Sequence, residues 1–267
     1  MTLALTNTDD AYTTNPARSS VIFHAVPGIY FYLRMLGTIL DASFKVKRKK
    51  FFEEDWIESS LAIIRHLERV DCRFFVNGKK NFIDLDGPCI FVGNHMSTLE
   101  TFVLGAIIRP HRPVTFVVKE SLVRYPVFGK VLNSIEPIVV SRKNPREDFR
   151  IVMEQGRERL SRGVSIVVFP QSFRTRTIDP EKFNSIGVKL ARKTGVPLVP
   201  LALKTDAWGS GWPIKDFGRI RPERFIHFCF GQPIRVEGKG KKEHRQVIDF
   251  ISGMLEKWNR IQAHGLF

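Results

Sequence analysis

The chain has 267 residues, enough for one α/β domain with a full hydrophobic core and a small appendage. Hydrophobic residues make up 43% of it and charged residues 26%, a composition that excludes an intrinsically disordered protein. The formal charge of +15 and a pI near 10.0 favour anionic partners: nucleic acid, an anionic lipid surface, or phosphorylated substrates and cofactors. A basic protein with a solvated positive surface and no such partner is the alternative.

The amino terminus and the cysteines both fit a protein of a reducing compartment. Residues 1–20 are polar and lack the charged-then-apolar order of a signal peptide, so we predict a flexible segment there. Cys72, Cys89 and Cys229 lie far apart and form neither a Cys-x-x-Cys pair nor a metal-ligand spacing. The sequence therefore predicts no disulfide framework and no zinc site.

Residues 21–44 are mostly apolar and aromatic, interrupted by Pro27 and Gly28. A membrane-spanning helix needs about 20 apolar residues, and Arg34 would fall in the middle of such a span. We therefore predict one or two helices that lie in the membrane surface. The basic run 45–50 follows directly, which is typical of attachment to an anionic leaflet, at about 1 kcal/mol per cation. A core helix followed by a solvated basic linker is the alternative.

The remainder of the chain alternates predicted helices with predicted strands. Helical periodicity or capping signals predict helices over residues 53–70, 97–108, 126–133, 146–160, 184–193 and 243–261. Short apolar runs predict strands over residues 72–76, 88–92, 114–118, 137–140, 164–169, 196–203 and 224–230. This alternation predicts an α/β fold, with a mainly parallel sheet that carries helices on both faces.

The most informative segment begins where the strand 88–92 ends. Asn94 and His95 follow it, and Glu100 lies five positions after the histidine. A histidine at the end of a buried strand lies at the rim of an α/β sheet, where ligands bind. A carboxylate that accepts the Nδ1 proton leaves Nε2 free as a general base. Ser97 and Glu100 also fit a capping box, and the two roles need not exclude each other.

Polar residues follow the other predicted strands as well. Lys119 ends one strand, Arg142 follows another, and the segment 169–175, Phe-Pro-Gln-Ser-Phe-Arg-Thr, follows a third. If the sheet is parallel, these strand ends lie at one edge, and a histidine base is surrounded there by cations. No Gly-x-Ser-x-Gly nucleophile elbow occurs in the sequence.

Taken in order, these segments resemble the glycerolipid acyltransferase family, which includes 1-acylglycerol-3-phosphate acyltransferase. The four matching blocks are Asn-His-x-x-x-x-Glu at 94–100, the strand that ends in Arg142, the segment 169–175, and Gly-Val-Pro-Leu-Val-Pro at 195–200. The resemblance covers residues 85–205. It implies an acyltransferase domain over residues 51–267, after a flexible segment 1–20 and a membrane-interface segment 21–50.

The resemblance also implies the chemistry and the partners. The enzyme would move a fatty acyl group from a thioester co-substrate, acyl-CoA or acyl carrier protein, to the hydroxyl of a lysophospholipid such as 1-acylglycerol-3-phosphate. The reaction would take place at the cytoplasmic face of a membrane. It would work without a bound cofactor, as a peripheral or monotopic protein. His95 would take the hydroxyl proton and Glu100 would hold its ring. The predicted substrate-binding residues are Lys119, Arg142, Phe169, Pro170, Gln171, Ser172 and Arg174.

Two blocks depart from the family pattern. Glu100 stands where the family usually has aspartate, a change that keeps the charge. Gln171, Ser172 and Phe173 stand where it usually has glutamate, glycine and threonine, which predicts a modified acceptor pocket or a lost one. An acyltransferase for another lysolipid and a catalytically silent lipid-binding relative are therefore kept as alternatives. A nucleic-acid-binding protein is disfavoured, because no recognised binding motif occurs.

Overall fold

The computed structural model describes residues 8–15, 27–212 and 216–264, which form helices around one mixed sheet. The strands are β1 (Tyr12–Thr13), β2 (Phe74–Asn77), β3 (Ile90–Gly93), β4 (Val114–Lys119), β5 (Ile138–Val140), β6 (Ser165–Val168), β7 (Leu198–Lys204) and β8 (Ile226–Phe230). The helices are α1 (Pro27–Lys47), α2 (Glu53–Arg69), α3 (Lys80–Ile83), α4 (Leu99–Ile108), α5 (Glu120–Val123), α6 (Phe128–Ser134), α7 (Pro145–Ser161), α8 (Ile186–Thr194) and α9 (Lys241–Ala263).

The sheet has eight strands in the order β1-β2-β8-β7-β3-β6-β4-β5. The pairs β1–β2 and β7–β8 are antiparallel, and the other five neighbouring pairs are parallel. Phe91 of β3 lies between Val167 of β6 and Val199 of β7 in register. The prediction of a mainly parallel sheet is confirmed. The carboxyl ends of β3 to β7 consequently meet at one edge, where α/β folds bind ligands.

Both faces of the sheet are covered, as predicted. On one face, Phe91 and Val167 belong to a hydrophobic core shared with α1, α2 and α4. On the other, Ile90 and Val92 belong to a second core shared with α7, α8 and α9. Successive residues of a strand point to opposite faces, so a strand buried on both sides is apolar at every position. That is why these strands are uninterrupted hydrophobic runs in the sequence.

Helix α1 packs against the rest of the protein along one of its sides. Phe31 and Met35 are buried against the core that includes α2 and α4. Pro27 and Gly28 lie within the helix, whereas the part of the predicted segment before Pro27 lies outside the described residues. Among the described residues, no helix is both long enough and apolar enough to cross a membrane.

The structure differs from the sequence-based expectation near the amino terminus. Within the segment predicted to be flexible, residues 8–15 are described and contain β1, an edge strand paired with β2. The Tyr12 hydroxyl donates to the buried carboxylate of Glu68, and Thr14 Oγ1 donates to the same oxygen over 2.8 Å. A two-residue strand has no periodicity, so these long-range contacts leave no signal in the sequence.

Candidate active site

His95 and Glu100 lie in contact at the carboxyl end of β3. His95 Nδ1 and Glu100 Oε1 are 2.9 Å apart, and Glu100 is fully buried while His95 is 8% exposed. The same Oε1 accepts hydrogen bonds from the backbone N–H groups of Met96 and Ser97, over 2.7 and 2.9 Å. Oε2 accepts from the hydroxyl groups of Ser97 and Thr205, over 3.0 and 2.7 Å.

These contacts keep the carboxylate of Glu100 ionised. Burial alone would raise its pKa, but the hydrogen bond from His95, together with those from Thr205 and Ser97, outweighs the desolvation and lowers the pKa below its ordinary value. An ionised carboxylate bound to Nδ1 fixes the imidazole tautomer with its proton on that nitrogen. Nε2 is then the nitrogen with a free lone pair.

The start of α4 supports this geometry, although not by the predicted cap. The helix begins at Leu99 with Thr98 as its N-cap residue, and Ser97 Oγ accepts from the Leu99 N–H over 3.1 Å. The second half of a capping box is present, because the Glu100 side chain accepts the Ser97 N–H. One carboxylate therefore both anchors the helix start and contacts His95.

Asn94 fixes the loop from the other side. Its amide donates to the carbonyl of Leu203 and accepts from the N–H of Leu203, each over 2.8 Å. The side chain thus continues the pairing of β3 with β7 beyond the last strand residue. Asn94 and Thr205 are site residues that sequence reasoning did not assign. Their partners lie more than 100 positions away, so only the adjacency of β3 and β7 reveals them.

The segment after β6 closes over His95. The Phe169 ring stacks on the imidazole with 4.8 Å between ring centroids. Gln171 Oε1 accepts the His95 N–H over 2.6 Å, and Gln171 Nε2 donates to Thr175 Oγ1. Both ends of the Gln171 amide are therefore engaged within the protein, whereas the sequence suggested a contact with the substrate.

Arg142 connects the loop after β5 to the segment after β6. The N–H groups of Ser141 and Arg142 donate to the Asp148 carboxylate, and the Arg142 guanidinium donates to the Ser172 carbonyl over 2.7 Å. Arg142 is exposed as a residue, but partial desolvation of its guanidinium lowers its pKa. The positive charge of Arg174 lowers it further, against the opposite effect of Asp148.

Arg174 forms an ion pair with an acidic residue of the protein. Its guanidinium donates to Asp216 Oδ1 over 2.5 Å, and Thr98 Oγ1 donates to the same oxygen over 3.1 Å. Through these two contacts, Asp216 ties the segment after β6 to the start of α4. An anionic ligand that bound Arg174 would share its guanidinium with Asp216 or displace that contact.

The remaining predicted residues are less central. Lys119 is exposed at the end of β4, and its side chain forms no hydrogen bond or ion pair with any described residue. Pro170 is buried, and its carbonyl accepts from the Asn184 amide. A large open groove of about 1160 Å³, which includes Tyr32 and Phe217 in its wall, contains none of the predicted site residues. Within the described part of the chain, no group of His, Cys, Asp or Glu is placed to hold a metal ion.

Comparison with known proteins agrees with the resemblance read from the sequence. The model of the family described as Acyltransferase matches residues 73–204, which contain β2 to β7 together with His95 and Glu100. This chain contains a domain of the acyltransferase family. The predicted family and enzyme class are confirmed, and the chain is an acyltransferase.

Individual relatives align with this acyltransferase over a longer part of the chain than the family model does. A 1-acyl-sn-glycerol-3-phosphate acyltransferase of Pseudomonas aeruginosa is 28% identical over 211 residues, 79% of this chain and 76% of the relative. One from Escherichia coli is 26% identical over 189 residues, 71% of this chain and 72% of the relative. The crystal structure of the Thermotoga maritima acyltransferase PlsC matches with a TM-score of 0.66 at 18% identity, covering 89% of this chain and 97% of that one. At this identity, the structural comparison supports the assignment of the fold alone.

Proposed function

We propose that this acyltransferase moves a fatty acyl group from acyl-CoA or acyl carrier protein to the free hydroxyl of a lysophospholipid, with 1-acylglycerol-3-phosphate as the acceptor. The names of the two bacterial relatives support this acceptor. The observation that carries the proposal is the 2.9 Å contact of His95 Nδ1 with the buried carboxylate of Glu100, at the ligand-binding edge of the sheet.

In the proposed reaction, His95 acts as a general base and then as a general acid. Nε2 takes the proton of the acceptor hydroxyl while its oxygen attacks the carbonyl carbon of the thioester. The new C–O bond forms, the C–S bond breaks, and the proton passes from His95 to the leaving thiolate. Glu100 stabilises the imidazolium, and the stacked Phe169 ring restricts its tilt. The acyl group never resides on the protein.

The proposed contacts to the acceptor headgroup centre on Arg142 and Arg174. Guanidinium groups bind phosphate through paired hydrogen bonds. The charge of Arg174 disfavours the charged form of Arg142, and a phosphate between the two would relieve that repulsion. Lys119 adds a further cation at the same edge, and Ser172 contributes the carbonyl that orients Arg142. An acyltransferase for a different lysolipid remains the nearest variant of this proposal.

The proposed membrane contact rests on the exposed face of α1. We define the α1 stripe as the five apolar residues that each keep 49–66% of their surface exposed: Ile29, Leu33, Leu36, Leu40 and Phe44. Their spacing of three or four residues places them on one side of the helix. The basic run 45–50 follows the stripe, and the Arg48 guanidinium lies 4.0 Å from the centre of the Phe44 ring. An apolar stripe beside cations favours an interfacial position on an anionic, cytoplasmic leaflet.

Thiol release tests the proposal. Purified protein would be given palmitoyl-CoA in mixed micelles with a panel of lysolipids, with His95→Ala in parallel and acyl carrier protein as a second donor. We expect release that requires both His95 and 1-acylglycerol-3-phosphate. Release with another lysolipid would replace the acceptor. No release with either donor would favour the silent lipid-binding relative.

A further inference from the structure

A second basic site adjoins the candidate active site on the side of α9. It is a cavity of about 290 Å³ whose polar wall includes Arg176, Lys204, Asp206, Arg224, Asn259 and Gln262. Met96, the residue after His95, completes the wall next to the candidate active site. We call this space the α9 cavity. None of its polar residues takes part in the reaction proposed above.

The α9 cavity contains more positive than negative charge. Lys204 Nζ lies 3.3 Å from Asp206 Oδ1, and the Arg224 guanidinium contacts the other oxygen of the same carboxylate. Arg176 forms no ion pair or hydrogen bond with any described residue. Three cations therefore face one acid in the wall. The Lys204 side chain is only 6% exposed, and buried cations are rarely left without enough counter-charge. An anionic ligand would supply the missing charge.

Two cations of the α9 cavity lie on the other side of β3 from Arg142, one of the two proposed headgroup contacts. Lys204 ends β7 and Arg224 precedes β8, both on one side of β3 in the strand order. Arg142 follows β5, on the opposite side of β3. His95 thus has a basic group on either side along the sheet edge. A transfer between two phosphorylated substrates needs two places for phosphate.

We propose that the α9 cavity binds a phosphate group of a substrate, through Arg176, Lys204 and Arg224, with the amides of Asn259 and Gln262 as further hydrogen-bonding groups. This inference rests on the proposed function. The phosphate can come from the nucleotide part of CoA or from the glycerophosphate headgroup. Both present the same chemistry to the cavity, and two soluble probes distinguish them: adenosine 3′,5′-bisphosphate and glycerol 3-phosphate.

Calorimetric titration of the full chain at low salt measures the affinity for both probes. Arg176→Gln removes an exposed cation without disturbing the core, and we expect the bound probe to be about three- to tenfold weaker. Asp206→Asn removes the competing acid, and we expect tighter binding and a larger rise of Tm on adding the probe. A purely structural role of Asp206 predicts no gain in affinity. Arg157→Gln is the matched control, because Arg157 is exposed on α7, away from the cavity wall.

The outcomes separate this inference from the proposed function. The phosphate site is supported if either probe binds more weakly to Arg176→Gln, more tightly to Asp206→Asn and equally to Arg157→Gln. The probe that shows this pattern identifies the source of the phosphate. Equal affinity in all variants, or no binding of either probe to the wild type, overturns it. If the pattern appears but no acceptor gives thiol release, the proposed reaction fails and the site stands. If transfer proceeds while Arg176→Gln leaves both KM values and both affinities unchanged, the site alone fails.

Discussion

Replacing Glu100 by glutamine isolates the charge of the buried carboxylate from its geometry. Glutamine has nearly the same shape, and its amide oxygen can still accept from His95 Nδ1 and from the N–H groups of Met96 and Ser97. The amide nitrogen then faces the hydroxyl groups of Ser97 and Thr205, which can rotate to accept. The imidazole tautomer is preserved, and only the negative charge beside the imidazolium is lost.

The contacts of Glu100 set the expected size of the effect. A hydrogen bond to a charged group contributes about 1.5–3 kcal/mol, and in the proposed reaction the imidazolium forms when His95 takes the hydroxyl proton. We therefore expect kcat to fall by roughly 10- to 200-fold with KM for both substrates nearly unchanged. Glu100→Ala is a different perturbation, because it leaves buried donors unsatisfied and costs about 3–5 kcal/mol of folding stability.

The assay is thiol release at saturating donor and acceptor, with urea unfolding of each variant to verify folding. Glu181→Gln is the control, because this glutamate is exposed in the loop before α8. A folded Glu100→Gln protein with wild-type kcat would refute the role of the charge. Loss of activity that matches a loss of folded protein would show that Glu100 acts only on the fold.

Three further predictions test other parts of the structure. Because folding lowers the pKa of Glu100 below the ordinary 4.5, its ionised carboxylate stabilises the fold above that pH, and this stabilisation is lost as the pH falls through the folded pKa. The free energies of unfolding of wild type and Glu100→Gln, measured in urea across pH, should therefore converge in acid, and a constant difference would contradict this. Asn94→Ala leaves the N–H and carbonyl of Leu203 unpaired and should lower the free energy of unfolding by about 2–3 kcal/mol, whereas an unchanged urea midpoint would show that water replaces the amide. Leu33→Glu in the α1 stripe should weaken flotation with anionic liposomes while Tm stays within a few degrees, since 66% of the surface of Leu33 is exposed. Unchanged flotation would show that α1 does not contribute to the membrane contact.

The sequence predicts those parts of the fold that depend on local pattern. Strand β3 is recognised from its apolar run, and the spacing of His95 and Glu100 places them within reach of one another because the intervening turn is short. The contact of Thr205 with Glu100 is not predictable in this way, since it depends on β7 lying next to β3. The helices α3 and α5 have four residues each, too few for a helical period to emerge.

Gln171 illustrates how tertiary contacts change the meaning of a substitution. Considered alone, glutamine in place of the family's glutamate looks like a lost charge in the acceptor pocket. In the folded chain its oxygen accepts from the backbone of His95 and its nitrogen donates to Thr175, whose own N–H donates to the His95 carbonyl. A glutamate would keep the acceptor but lose the donor, and would add a second carboxylate near the one that pairs with His95. The departure therefore stabilises the loop that carries the base, and the headgroup contacts of the proposed function fall to Arg142 and Arg174 rather than to Gln171.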